Sequence, residues 1–166
     1  MIARDGSIDW ACFPRFDAPS IFARILDAQK GGFCQIVPVG DSTVEREYLA
    51  GTAILATRFT TASGSIELLD FMPPGDIGCG GLGERAIIRL VRGISGQVEV
   101  ALTFAPRFDY ARALPTWDVQ PGNGARARHG SAALTLYCPI TFHLTDDRAS
   151  GQQTVAAGEV LVCVLG

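Results

Sequence analysis

The sequence predicts an all-β fold, an antiparallel super-β-sandwich with one short helix near residues 20–28, and three observations carry that expectation. Short β-branched or alternating apolar runs recur along the whole chain. Gly, Pro, Asp and Ser punctuate them at intervals suited to tight turns. Strand-like runs follow one another directly, without the helical segments that a parallel β-α-β arrangement would need.

Taken in order, the helix is expected at 20–28, where Ser20 can cap, Pro19 precedes it, and Ile21, Phe22, Ile25 and Leu26 make an apolar stripe that Gly31-Gly32 stops. Strands are expected over 33–37, 53–60, 65–71, 85–92, 98–104, 132–137, 140–144 and 159–165. Ser63-Gly64 and the stretch 93–96 lie between consecutive runs and predict hairpin turns in which glycine supplies positive φ. Within 99–104, Val100, Leu102 and Phe104 fall on one face of the pleat and Glu99 and Thr103 on the other. The stretches 73–83 and 113–130 read as long loops. Arg126, Arg128 and His129, the densest positive group, are then a solvated loop.

The 166 residues suit one domain, spanning 1–166, and 48% hydrophobic against 19% charged residues is enough to bury a core. A formal charge of −3 gives no electrostatic reason to expect nucleic acid or an anionic membrane as a partner, since those need clustered Lys and Arg. Cys12, Cys34, Cys79, Cys138 and Cys163 are odd in number, widely spaced and without a C-x-x-C pair, so they are expected as thiols, with Cys34, Cys138 and Cys163 packed in the core. The start of the chain has no apolar signal segment and no run is long enough to span a bilayer, from which a soluble, cytoplasmic protein is expected.

Gly78-Cys79-Gly80-Gly81-Leu82-Gly83 matches G-x-G-x-x-G, yet it leads into a strand-like run rather than a helix, so it lacks the helix terminus that holds pyrophosphate. His129 and His143 are the only imidazoles, neither beside a serine elbow nor in a metal-ligand cluster. No cofactor and no metal is expected. Residues 5–17 gather Asp5, Asp9 and Asp17 with Arg15, Trp10, Phe13 and Phe16, a mixture that suits either sugar hydroxyls and C–H faces or an interface anchor.

Asp5-Gly6-Ser7-Ile8-Asp9-Trp10, followed by Pro14-Arg15-Phe16-Asp17-Ala18-Pro19-Ser20-Ile21-Phe22, resembles the opening signature of glycoside hydrolase family fifteen, the bacterial glucoamylase and trehalase group. Leu69-Asp70-Phe71-Met72-Pro73, Pro106-Arg107-Phe108-Asp109-Tyr110 and Gly158-Glu159 are similar to its later motifs, in the same order. Ala111 departs from the pattern, where glycine is commoner.

The resemblance implies an N-terminal β-sandwich that packs on a helical (α/α) barrel absent from this chain. It also implies an inverting attack on α-glucosidic bonds by paired glutamates of that barrel, about 6.5–9.5 Å apart. None of this chain's carboxylates matches those positions, so none is expected to be catalytic. Trp10, Arg15 and Asp17 are then expected in the loop nearest the barrel and the substrate entrance, with Arg107, Asp109 and Tyr110 as a second contact group. Two alternatives stand beside this accessory role: a free-standing module binding α-glucosides through Trp10, Trp117 and Tyr110, and a self-associating sandwich forming homo-oligomers.

Overall fold

A computed structural model of the chain describes residues 1–73, 86–120 and 124–166. The described residues form strands and no helix: β1 (Ser7–Ile8), β2 (Trp10–Cys12), β3 (Ser20–Ala23), β4 (Phe33–Pro38), β5 (Thr43–Tyr48), β6 (Leu55–Thr61), β7 (Gly64–Phe71), β8 (Ile87–Ala105), β9 (Thr116–Gln120), β10 (Gly124–His129), β11 (Ala132–Tyr137), β12 (His143–Leu144), β13 (Ala149–Ala156) and β14 (Val160–Leu165). The fold is all-β and antiparallel, as the sequence predicts.

One strand organises the two layers. The first part of β8, Ile87–Arg92, lies between β7 and β14 in a sheet ordered β5-β6-β7-β8-β14-β11-β10-β9. Its second part lies between β4 and β13 in the opposite layer, which β1 and β12 extend. The stretch 93–96, expected as a hairpin turn, is instead the crossing point inside this continuous strand. The reason is steric. A Cβ at Gly93 would overlap the carbonyl oxygen of Ala156, and one at Gly96 (φ 61°) that of Ser63. The neighbouring turns satisfy the crossing backbone: Gln97 N donates to Ser63 O (3.1 Å) and Ala157 N to Gly96 O (2.9 Å).

The expected helix at 20–28 is also corrected. Ser20–Ala23 is β3, which pairs with β2 and is buried at all four positions. A strand buried on both faces carries consecutive apolar residues, so Ile21-Phe22 read as half a helical stripe. The other half is solvent-exposed: Ile25 is 48% and Leu26 71% exposed, on a turn that Asp27 closes by accepting from Gln29 N and Lys30 N, each at 2.9 Å.

The presumed loop 113–130 holds the β9–β10 pairing, with Trp117 opposite Ala127. Its Ala125-Arg126-Ala127-Arg128 run is strand alternation: the alanines face the core and the arginines face solvent. Of 140–144 only His143–Leu144 is strand, although Ile140 and Phe142 are buried in the core. The Ser63-Gly64 turn is present as the tight β6–β7 connection, where Thr61 pairs with Gly64. Val100, Leu102 and Phe104 are each at most 1% exposed, and Phe104 meets Phe22 and Trp117 edge-on, with ring centroids 6.4 and 5.8 Å apart. The expected G-x-G-x-x-G loop, Cys79 and most of 73–83 lie outside the described residues.

Arg89 and Asp70 face each other inside the sandwich with fully buried side chains. Arg89 donates from Nε to Asp70 Oδ1 (2.7 Å), from Nη1 to Cys34 O (2.8 Å) and from Nη2 to Gly6 O (2.6 Å). One guanidinium therefore joins β7, β8, β4 and the N-terminal turn. Burial works against its charge, but Asp70 and Cys34 together outweigh it, and the pKa is raised above its ordinary value.

Cys138 and Cys163 are joined as a disulfide, which corrects the expectation of thiols at both positions. Antiparallel pairing of β11 with β14 brings them together, with Cα atoms 4.5 Å apart across 25 residues of sequence. Spacing along the chain could not reveal a partner set by strand order. Cys12 and Cys34 are free.

Two predictions follow from these features. Asp70→Asn should lower stability by about 3–5 kcal/mol in urea unfolding, because it leaves Arg89 buried without a counter-charge; a loss under about 1 kcal/mol would show that the pair is replaceable. Thiol titration of the denatured chain should find two fewer reactive sulfurs before reduction than after it, and equal numbers would exclude the disulfide.

Candidate functional site

The Asp5-Gly6-Ser7 turn is built before it can serve as a site. Asp5 accepts from Ser7 Oγ (2.5 Å), Arg24 Nη2 (2.9 Å) and Gln35 Nε2 (2.9 Å). Burial pushes the Asp5 carboxyl up, but hydrogen bonds from Ser7 and Arg24 and the Arg24 charge outweigh it and hold the pKa below the usual carboxylate range. Gly6 takes φ 74°, and a Cβ there would overlap Ile36 O. Arg24 also reaches Ser7 Oγ (2.6 Å) and Asp9 Oδ1 (2.8 Å) and lies 4.5 Å over the Phe33 ring. The carboxylates of the motif are thus engaged within the fold. Sequence reasoning passed over Arg24; a lone cation after Ile21-Phe22-Ala23, with three carboxylates nearby, was the available signal.

What the turn leaves outward is the loop after β2. With the end of β7, this loop bounds a cleft of about 700 Å³ lined by Trp10, Phe13, Arg15, Phe16, Met72 and Ile87 among others. Trp10 is half-buried, whereas Phe16 is 91% and Met72 61% exposed. Arg15 and Asp17 form a two-pronged ion pair at 2.9 and 3.1 Å, with both side chains more than half exposed. An ion pair in that setting adds little stability, so its value is in orienting two polar groups beside an apolar wall. Met72 was not foreseen as a lining residue, because only the fold brings the end of β7 to this loop.

The second predicted group separates in the structure. Arg107 is 7% exposed and turned inward: Nη1 donates to Asp147 O (2.7 Å), Nη2 to Asp147 Oδ2 (3.1 Å), and its backbone N to Ile21 O (2.8 Å). Hydrogen bonds from Arg148 and Thr145 hold the Asp147 carboxyl far below the usual range despite its burial. Asp109 and Tyr110 are exposed on a turn closed by the Phe108–Ala113 bridge. The cleft lining takes in Trp10 and Arg15, with Asp17 tied to Arg15, and none of Arg107, Asp109 or Tyr110.

The turn at 109–111 is strained. Asp109, Tyr110 and Ala111 take φ of 50°, 55° and 66°, a region where a Cβ costs about 1–2 kcal/mol per residue. Glycine avoids that cost at Ala111, the position where the resembling pattern favours it.

The geometry is that of a β-sandwich in which Asp5, Asp9, Asp70 and Arg107 of the signature segments are bonded within the fold, while the loop carrying Arg15, Phe16 and Asp17 is exposed. Comparison with known proteins gives the family. The family model described as "Trehalase-like, N-terminal" matches residues 1–163, and the chain belongs to that family. The chain is 37% identical over 119 residues to a trehalase of Thermoplasma acidophilum, covering 69% of this chain and 20% of that protein. It is 36% identical over 132 residues to a trehalase of Mycolicibacterium smegmatis (71% and 20%), and 40% identical over 107 residues to trehalase 1 of Sulfolobus acidocaldarius (64% and 17%). The chain thus spans about a fifth of the length of these relatives.

Ala111→Gly should raise stability by up to about 1 kcal/mol, the relief of left-handed strain less the added freedom of glycine when unfolded. A lower thermal midpoint for this variant would show that the Ala111 side chain makes compensating contacts.

Proposed function

We propose that this chain is the noncatalytic accessory domain of a trehalase-type glycoside hydrolase, packing on a helical catalytic barrel and shaping its substrate entrance. The observation that carries the reading is the outward apolar loop: Phe16, almost wholly exposed, stands beside the oriented Arg15–Asp17 pair on the rim of a Trp10-lined cleft. An exposed aromatic ring with adjacent polar groups suits contact with a partner surface or with a sugar bound against it.

Four of the described carboxylates are held in ion pairs, which supports the noncatalytic half of the proposal. Asp70 is held by Arg89, Glu67 by Arg58 and Arg92, Asp147 by Arg107 and Arg148, and Asp5 by Arg24. An inverting hydrolysis instead needs one carboxylic acid and one carboxylate facing a sugar across about 6.5–9.5 Å. We assign those groups to the barrel of the longer polypeptide, whose substrate is an α-glucoside such as trehalose or a glucoamylase-type glucan.

In a trehalase-length polypeptide carrying this region, Phe16→Ala combined with Arg15→Ala should raise KM for trehalose several-fold and leave kcat within about twofold. An unchanged KM would remove the loop from the entrance. The isolated chain should release no glucose from trehalose or maltose. The same exposed Phe16 also favours a second reading, a free-standing sugar-binding module; saturable heat on calorimetric titration of the isolated chain with trehalose or malto-oligosaccharides would establish it in place of the first.

A further inference from the structure

The first sheet has two faces, and only one of them is accounted for by the core. Cross-strand register places Phe71, Ile88, Val164 and Tyr137 in one row on its outer face. The adjacent row holds Leu69, Leu90 and Val162. None of these seven belongs to the core cluster or to the residues packed against it. Val160, Val162 and Tyr137 are 53%, 42% and 44% exposed.

This face departs from the usual economy of an antiparallel sheet, which alternates apolar inward and polar outward residues when one side meets water. Here β14, read Val-Leu-Val-Cys-Val-Leu, is apolar at every position, and β7 and β8 carry paired apolar residues at Leu68-Leu69 and Ile87-Ile88. Near-continuous apolar runs are the pattern of strands covered on both sides.

The border is equally particular. The next row across the same face alternates in charge, Glu45, Arg58, Glu67 and Arg92, on four consecutive strands. Glu67, 5% exposed, binds Arg58 at 3.0 Å and also Arg92. An apolar centre flanked by ordered charges is the anatomy of a protein interface.

We propose that this outer face of the β7-β8-β14-β11 region is the docking surface for the other four-fifths of a trehalase-length polypeptide. The inference rests on the accessory-domain reading and specifies where the partner sits. Two observations select that occupant over a second copy of the chain. The relatives are about five times as long as the segment they share with it. And β14, whose Val160, Val162 and Val164 supply the centre of the face, is the last strand of the matched segment, so a polypeptide continuing past Gly166 leaves beside Val164 and Tyr137.

The test introduces Val160→Lys and Val162→Lys together. In the 166-residue chain the pair should leave the thermal midpoint within about 4 °C, as expected for surface positions, and should lower the fluorescence of a bound hydrophobic dye. In a fusion that places this chain before the C-terminal four-fifths of the Mycolicibacterium smegmatis trehalase, the unsubstituted protein should unfold in one transition. The two lysines should split that transition or lower it by more than about 5 °C.

The proposal is overturned if the unsubstituted fusion already melts in two separate steps, or if the lysines leave its melting unchanged. It is also overturned if they destabilise the isolated chain as core substitutions do, or if sedimentation equilibrium shows the isolated chain dimerising through a contact that they abolish. The entrance role is read separately, from the KM effect of the Phe16 and Arg15 variants: loss of that effect with the melting effect intact removes the entrance and leaves the docking face.

Discussion

The buried Arg89–Asp70 pair is the interaction on which the rest of the structure depends, because from β8 one guanidinium bonds β7, β4 and the N-terminal turn at a single buried point. Taking two charges out of water costs several kcal/mol per ion, and the cost is recovered only when the geometry is good and the remaining donors are satisfied. Arg89 meets that condition: Asp70 neutralises it, and the carbonyls of Cys34 and Gly6 take its other donors. The consequence reaches the N-terminal signature directly. Gly6, in the left-handed conformation, presents its carbonyl to Arg89, and Asp5 and Ser7 on either side bond Arg24.

The long strand β8 makes this tie possible. By crossing from one layer to the other it holds Arg89 between β7 and β14 and, further on, lies beside β4, whose Cys34 carbonyl Arg89 reaches. The crossing needs glycine at Gly93 and Gly96 because hairpin carbonyls press on both sides. The same topology brings the end of β7, with Met72, to the loop after β2 and so closes the cleft. The candidate site is a by-product of how the layers are joined.

Sequence motifs that carry a family signature invite a catalytic reading, and here most of their polar groups have structural work instead. Asp5 and Asp9 hold Arg24, Asp70 holds Arg89, and Arg107 holds the loop of Asp147. What remains outward is apolar or only weakly paired: Phe16, Met72, the Arg15–Asp17 pair, and the outer rows of the first sheet. That division, with the polar groups of the motifs bonded inside the fold and an apolar loop and sheet face outside it, is what the accessory-domain proposal rests on.

By itself the sequence determined the all-β class, seven of the fourteen described strands, the inward face of Val100, Leu102 and Phe104, and the family signature, because period-two alternation and turn residues are local properties of the chain; it passed over β5 and β13, whose polar, half-exposed stretches carry no apolar run. It misread the places where residues distant along the chain decide the local conformation. Ile21-Phe22 looked helical because a strand covered on both faces loses its alternation, and 93–96 looked like a turn because glycine serves a crossing as well as a hairpin. The stretch 113–130 looked like a loop because small alanines hid the inward face of β10. Tertiary structure alone decided the Cys138–Cys163 pairing, the convergence of Arg89 on Asp70, Cys34 and Gly6, the inward turn of Arg107, and the separation of the two predicted contact groups. Each depends on strand order and register, and those are set by which faces must be buried together across the whole sandwich.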